Sequence, residues 1–275
     1  MLRQFEAELV LPTGERVSPT MGSVLHGALM ERLPADVAEF LHTERLRPYS
    51  QSVRYEKESG RTLWRIHTLT DELGQIFAAM LGAKQDIFLR QKGYAVRVQD
   101  FRCVWNFPPN GIKTDGYAVR VQDFRCVAET DDAAIADLYF LPEGAPRGAE
   151  ITFCTTTAFK RDGQYVLLPE LYLIVQSLLA RWSIFCPRVR MDEDGLAQQL
   201  DAAYQISQYA LRTAGFSVDG HTLRGFRGTL SMRFTGTDSV RRILGMLMEF
   251  APYAGIGIKT ALGMGSVCVN VWRAR

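Results

Sequence analysis

Four glycines, Gly255, Gly257, Gly263 and Gly265, surround one cation, Lys259, in the stretch from Tyr253 to Val267. A helical stripe (Val240, Ile243, Leu244, Leu247, Met248) precedes the stretch, and an apolar run from Val267 to Trp272 follows it. A helix that feeds a strand through such a loop demands packed α and β layers. Glycine accepts positive φ and lets another group approach the backbone closely. Two uses follow. Successive amides can form a nest for a polyanion, or the glycines can let two layers pack tightly. Two familiar phosphate loops are excluded. Ile258 separates the last glycine from Lys259-Thr260, so the G-x-x-x-x-G-K-[ST] spacing fails. Thr260 stands where a dinucleotide fingerprint needs its third glycine. Both of those loops also run from strand to helix, the reverse of this one.

The rest of the chain reads as two α/β units. Phe5–Leu11 alternates as a strand, and Met21, Val24, Leu25, Ala28, Leu29 and Leu33 recur as a helical stripe. Ala35–Leu41 predicts a short helix. Gln51–Lys57 and Thr62–Leu69 flank Ser59-Gly60 as a hairpin. Asp71–Leu81 predicts a helix that stops at Gly82, and the chain from Ile87 is extended. The order β-α-β-β-α-β is the ferredoxin-like, or RRM-like, motif. Residues 129–150 are acidic and read as a linker containing a strand over Ala136–Leu141. Ile151–Thr157, a helix after Pro169 with a stripe from Leu171 to Trp182, strands Tyr204–Ala214 and Gly225–Phe234, a helix Thr237–Phe250 and the final strand make a second unit of the same type. The expected fold is α+β: a ferredoxin-like domain over 1–128, a linker over 129–150, and a second ferredoxin-like domain over 151–275 that carries the loop 253–266.

One segment occurs twice. Gly93-Tyr-Ala-Val-Arg-Val-Gln-Asp-Phe-Arg-Cys-Val104 recurs letter for letter as Gly116–Val127. Two copies are too few for a solenoid. One copy is expected to form the last strand of the first domain, and the other an edge strand, a loop or a disordered segment.

Composition excludes several classes. The five cysteines show no C-x-x-C pairing, and with four scattered histidines they form neither a zinc pattern nor a disulfide framework. No apolar run approaches the ~18 residues of a membrane span, and Met1-Leu-Arg-Gln-Phe-Glu is unlike a signal peptide. These features predict a cytoplasmic protein without a membrane partner. The net charge is only +2, but from Arg212 onward nine Lys/Arg face three Asp/Glu. Such asymmetry points to a polyanion or to an ordinary uneven surface.

The glycine spacing G-x-G-x(5)-G-x-G near the C-terminus resembles the glycine-rich loop of the RAMP superfamily of CRISPR proteins. Leu223–Phe234 resembles the strand hairpin that precedes that loop in Cas6 endoribonucleases. Leu178-Leu-Ala-Arg-Trp182 resembles their central helix, and Leu41–Ser52 the segment carrying their histidine. The resemblance implies two tandem RAMP-type ferredoxin-like domains and metal-independent cleavage, without a cofactor, of CRISPR repeat RNA in a precursor transcript. The 2′-hydroxyl would attack and leave a 2′,3′-cyclic phosphate. Precursor and mature guide RNA would be the partners, with effector subunits and a homodimer as further ones. A non-cleaving RAMP subunit that binds guide RNA as a scaffold is the competing reading.

Cleavage without a metal needs a base, an acid and a cation or donor at the phosphorane. Histidine suits the first two because it titrates near neutrality. His42 ends an apolar segment and opens a loop with Arg45 and Arg47, and guanidinium binds phosphate bidentately. The resemblance places the family's catalytic histidine at His42, and Arg47 near a position where some members use lysine. His26 lies beside the helical stripe and is expected to be exposed as the second acid–base candidate. Where some relatives carry tyrosine one turn later, this chain has Met30. His67 and His221 read as structural. Gly255, Gly257, Lys259, Gly263, Gly265, Arg224, Arg227 and Arg233 are the RNA-binding candidates, with Arg181 as a further cation. Tyr49, Phe226 and Tyr253 are available for base stacking.

Overall fold

The computed structural model describes residues 1–11, 18, 21–82, 85–90, 116–191, 195–218 and 221–273. The first half runs β1 (Leu2–Val10), α1 (Met21–Met30), α2 (Ala35–Thr43), β2 (Tyr49–Glu56), β3 (Arg61–Thr68), α3 (Asp71–Leu81), β4 (Gln85–Arg90) and β5 (Gly116–Thr130). Its sheet has the order β2-β3-β1-β5-β4, with every neighbouring pair antiparallel. Strand alternation sets the two faces. Phe5, Ala7 and Leu9 of β1 join Leu25, Leu29, Trp64, Ile66 and Phe77 in the core. The intervening Glu6 and Glu8 pair across to Arg65 (2.8 Å) and Arg61 (2.9 Å) on β3. Helix α3 starts where predicted because the Thr70 side chain accepts a hydrogen bond from the Leu73 amide.

In this sheet β5, not the extended stretch after Ile87, takes the ferredoxin-like place beside β1. The segment Gln85–Arg90 becomes an added edge strand. The second copy of the duplicated segment lies in β5; the first copy, Gly93–Val104, lies outside the described residues. The register pairs Arg90 with Gly116 across β4 and β5. Removing Gly93–Asp115 would therefore join these partners through Gln91-Lys92 alone, a two-residue hairpin. Shortening this connection should gain about 2 kcal/mol of loop entropy, offset because Gln-Lys is a poor primed turn. The deletion protein is expected to melt at or slightly above the parent temperature. A fall of more than ~8 °C, about 2 kcal/mol or more at this size, would show that both copies carry structure.

Between the sheets the sequence reading needs correction. The stretch read as a strand over Ala136–Leu141 is helix α4 (Asp132–Phe140), and β5 before it runs on to Thr130. Asp131 caps the helix by accepting from the Ala134 amide at 2.8 Å. Ile135 and Tyr139 bury one side, and the Tyr139 hydroxyl donates to Glu249 at 2.8 Å. The local β-propensity of Tyr139-Phe140-Leu141 is overridden by the cap and by this packing.

The second half continues with β6 (Gly148–Thr157), a small hairpin of β7 (Phe159–Arg161) and β8 (Gln164–Val166), α5 (Leu171–Phe185), α6 (Leu196–Asp201), β9 (Tyr204–Val218), β10 (His221–Phe234), α7 (Asp238–Ala254), a 3₁₀ turn (Thr260–Leu262) and β11 (Val267–Trp272). The sheet order β11-β6-β10-β9 is again ferredoxin-like. Trp182 of α5 meets Phe250 of α7 edge-on at 5.2 Å, which fixes the two core helices against each other.

The two halves are joined through the glycine-containing connection. Its 3₁₀ turn sends Ala261 into the core of the first half. Gln51, only 1% exposed, donates to the carbonyls of Ala261 (2.6 Å) and Gly22 (3.1 Å) and accepts from the Trp64 indole (2.8 Å). The Ser50 hydroxyl donates to the Tyr253 carbonyl at 2.7 Å. A buried glutamine satisfied on both its nitrogen and its oxygen fixes this junction firmly, because any slip would leave polar atoms unpaired.

Candidate active site and nucleic-acid interface

Helix α2 has a single buried side chain, Leu41, and the next residue, His42, is exposed in its last turn. The helix ends at Glu44, and the chain bends back toward β2. Arg47 fixes that return: its Nε donates to the Leu41 carbonyl at 2.6 Å. A cation on the last carbonyls of a helix satisfies an orphan acceptor and the negative end of the dipole. Arg47 thus has a structural duty through Nε, while its terminal nitrogens make no other bond among the described residues.

His26 is not the exposed flank residue expected from helical periodicity. It is only 8% exposed, because β2 covers its side of α1. Its Nδ1 is hydrogen-bonded to the hydroxyl of Tyr49, a residue with no exposed surface. Burial first, then the nearby charges of Arg47 and His42, lower the His26 pKa to about 4. The ring is therefore neutral at pH 7 and stands close to both other members of the predicted set. Burial likewise raises the Tyr49 phenol, so that partner is neutral as well. His26 thus lies within electrostatic reach of His42 and Arg47, and its hydrogen-bond partner is Tyr49, which sequence reasoning took only as a stacking aromatic.

The remaining histidines stand apart. His67 is buried, its Nδ1 lies 3.3 Å from the Ser50 hydroxyl, and its ring meets Tyr253 edge-on. Burial, with Arg65 adding to it, pushes its pKa down to about 3. His221 is exposed at the start of β10.

The glycine residues answer a different need from the nest considered above. All four are buried. Gly255, Gly257, Gly263 and Gly265 have φ of 69°, 86°, 102° and 69°, and Lys259 itself is left-handed at 55°. A Cβ on Gly257 would lie 2.4 Å from the Ala158 carbonyl oxygen, and one on Gly265 would lie 2.0 Å from that of Ile256. Gly263 sits against Gly22 of α1, with 3.2 Å between its added Cβ and the Gly22 Cα. The amides are also taken. Those of Ile256, Ile258 and Gly265 donate to Gly265, Ala158 and Thr156 carbonyls. Those of Gly257 and Ser266 donate to the Ser177 and Thr155 hydroxyls. These groups pack protein against protein. Lys259 is half-buried, and its side chain makes no bond among the described residues.

Beneath this segment, Arg181 of α5 is 5% exposed. It donates to the Gly257 carbonyl and the Thr260 hydroxyl, each at 3.2 Å, and to Ser177. Burial lowers its pKa to about 10, so it stays charged with no carboxylate against it. Its place is under the loop, not on an outer RNA surface. On β10, Arg224 and Arg233 are exposed. Arg227 donates to the Cys154 carbonyl and, with Arg54 and Arg65, lines a cleft of about 430 Å³ between the two sheets. The cationic candidates therefore fall in separate places: Lys259 on the loop, Arg227 in the cleft, and Arg224 and Arg233 on the exposed hairpin. Tyr253 packs on His67 and Phe226 on Phe153 and Phe159, so neither is a free stacking platform. Among the described residues no group of three His, Cys, Asp or Glu side chains could hold a metal ion. No helix of the described residues is long and apolar enough to cross a membrane.

The two ferredoxin-like domains are a fold that solved RAMP and Cas6 proteins share. The same fold occurs in a solved RAMP protein described as binding different RNA substrates, at a TM-score of 0.58 over 98% of this chain and 99% of that one, with 11% identity. The model for CRISPR-associated endoribonuclease Cas6 matches residues 151–267. Cas6 of Streptococcus thermophilus is 29% identical over 243 residues, 88% of each chain. Cas6 of Mycobacterium tuberculosis is 29% identical over 254 residues, 91% of this chain and 72% of that one. Thermus thermophilus Cas6, solved as a product complex, superposes with a TM-score of 0.74 over 98% of this chain and all of the other, at 21% identity. Over most of its length the chain is similar to Cas6 endoribonucleases.

Proposed function

We propose that this chain is a metal-independent endoribonuclease that cuts within CRISPR repeat RNA of a precursor transcript, in the cytoplasm, to release guide RNAs. The observation that carries the reading is the exposed His42 beside the Arg47 guanidinium at the end of α2, with neutral His26 of α1 within reach of their charges. Similarity to Cas6 endoribonucleases supports the RNA substrate. His42 takes the proton from the ribose 2′-hydroxyl or gives one to the leaving 5′-oxygen, since an imidazole near neutrality can do either. The free terminal nitrogens of Arg47 face the charge that develops on the phosphorane. Arg224, Arg233 and Lys259, all without a described ion-pair partner, hold the RNA backbone. Mature guide RNA, effector subunits and a second copy of the chain are the further partners that this reading admits.

The test is incubation with a labelled repeat RNA in EDTA. Cleavage is expected to persist, to leave a 2′,3′-cyclic phosphate, and to stop when the nucleotide 5′ of the cut is 2′-deoxy. Loss of cutting in EDTA would overturn the metal-free mechanism. Binding without any cutting, with or without metal, would replace the enzyme by the scaffold reading.

A further inference from the structure

We propose that Tyr49 is a positioning residue that locks His26 in the tautomer protonated at Nε2. Tyr49 is completely buried, and its ring is held edge-on against Phe77 at 5.5 Å, so its hydroxyl cannot swing to water. The only partner of that hydroxyl among the described residues is His26 Nδ1. Two arrangements are possible. If Nδ1 carried the proton and donated to the phenol oxygen, the phenolic O–H would be left buried without an acceptor, which proteins avoid. If the phenol donates instead, both groups are satisfied, and the single ring proton of neutral His26 must sit on Nε2.

The charges around the ring favour the same neutral form. Arg47 and His42 are the charged or titratable groups that act on His26, and both oppose a second proton there. Tyr49, the third group facing it, stays protonated because it is buried. His26 then presents a hydrogen-bond donor to the substrate and has no basic ring nitrogen free. Under the cleavage reading, on which this consequence rests, His26 orients the scissile phosphate or steadies its oxygen, and His42 alone moves the proton. This parts the roles of two histidines that look equivalent in the sequence. It also gives a function to a tyrosine seven residues after His42.

The lock can be read directly and without RNA. In a protein labelled with ¹⁵N-histidine, long-range ring correlations should show His26 with a pyridine-type Nδ1 and a pyrrole-type Nε2, the resonance being assigned by its loss in His26→Asn. Tyr49→Phe keeps the ring that packs on Phe77 and removes only the hydroxyl. Its His26 signals should move toward a mixture of tautomers. Its single-turnover cleavage rate should fall about 3–10-fold, the worth of one neutral hydrogen bond, with RNA affinity unchanged. A proton on Nδ1 in the parent overturns the lock even if Tyr49→Phe fails to fold. A changed tautomer with unchanged cleavage overturns the positioning role. A parent with locked His26 that never cuts repeat RNA overturns the cleavage reading while the lock stands.

Discussion

Replacing His42 by alanine should lower the single-turnover rate of repeat-RNA cleavage by about 10²–10⁴-fold, the usual worth of a positioned acid or base. The protein should stay folded, because His42 is exposed and makes no hydrogen bond among the described residues. RNA affinity should change little, since the backbone contacts proposed above lie elsewhere, at Lys259 and the β10 arginines. His26→Ala should cost less in rate, because a neutral donor contributes to orientation and not to proton transfer. It should also cost stability, through the buried Tyr49 hydroxyl left without its acceptor. Rates would be measured at saturating protein, with melting temperatures taken on the same preparations. If the His42→Ala protein cuts like the parent, the acid–base assignment at α2 is wrong.

Much of the fold was legible because its signals are local. Thr70 and Thr237 are side-chain caps just ahead of α3 and α7, and those helices start at the next residue. Val267–Trp272 was bounded correctly as the last strand, since the glycines before it and the apolar run itself mark its ends. Helix α4 was misread from its aromatic tail, although Asp131-Asp132 already offered a cap and an acidic first turn. The site was less legible, for a physical reason. His42 and Arg47 could be proposed from sequence because a histidine between a helix end and two guanidiniums is a pattern within one short segment. The burial of His26 was not, because helical periodicity describes one helix and says nothing about the strand laid over its flank. Gln51 acts across the junction between the two halves, and Tyr49 and Arg181 bond to residues far away in the chain, where no spacing in the sequence records a contact. The same holds for the glycines. Their spacing permits either a phosphate cradle or close packing, and only their neighbours decide between the two.

That decision carries the second large expected effect. Gly265→Ala and Gly257→Ala should each destabilise the free protein by about 3–5 kcal/mol. Each would add the strain of a left-handed alanine to a Cβ pressed on a carbonyl oxygen. For a chain of this size the loss corresponds to a melting temperature lower by about 6–20 °C. The neighbours cannot yield cheaply. The carbonyls involved, of Ile256 and Ala158, belong to the same segment and to the residue just after β6, and Ala158 already accepts from the Ile258 amide at 3.0 Å. Movement of the loop would also pull Ala261 from the first core and break its bond to Gln51. Lys259→Ala is the control at the same place. It keeps a non-glycine residue at the left-handed position and should leave the melting temperature unchanged. If Lys259 meets a phosphate, the slope of log K against log salt should fall by about one. The two results together would separate the layers of the segment: glycines that hold the two halves of the protein together, and a lysine that holds RNA. Alanine at Gly257 and Gly265 with parental melting and a large loss of RNA affinity would instead show that these glycines face the phosphate. The buried, fully bonded amides described above would then have to open when RNA binds.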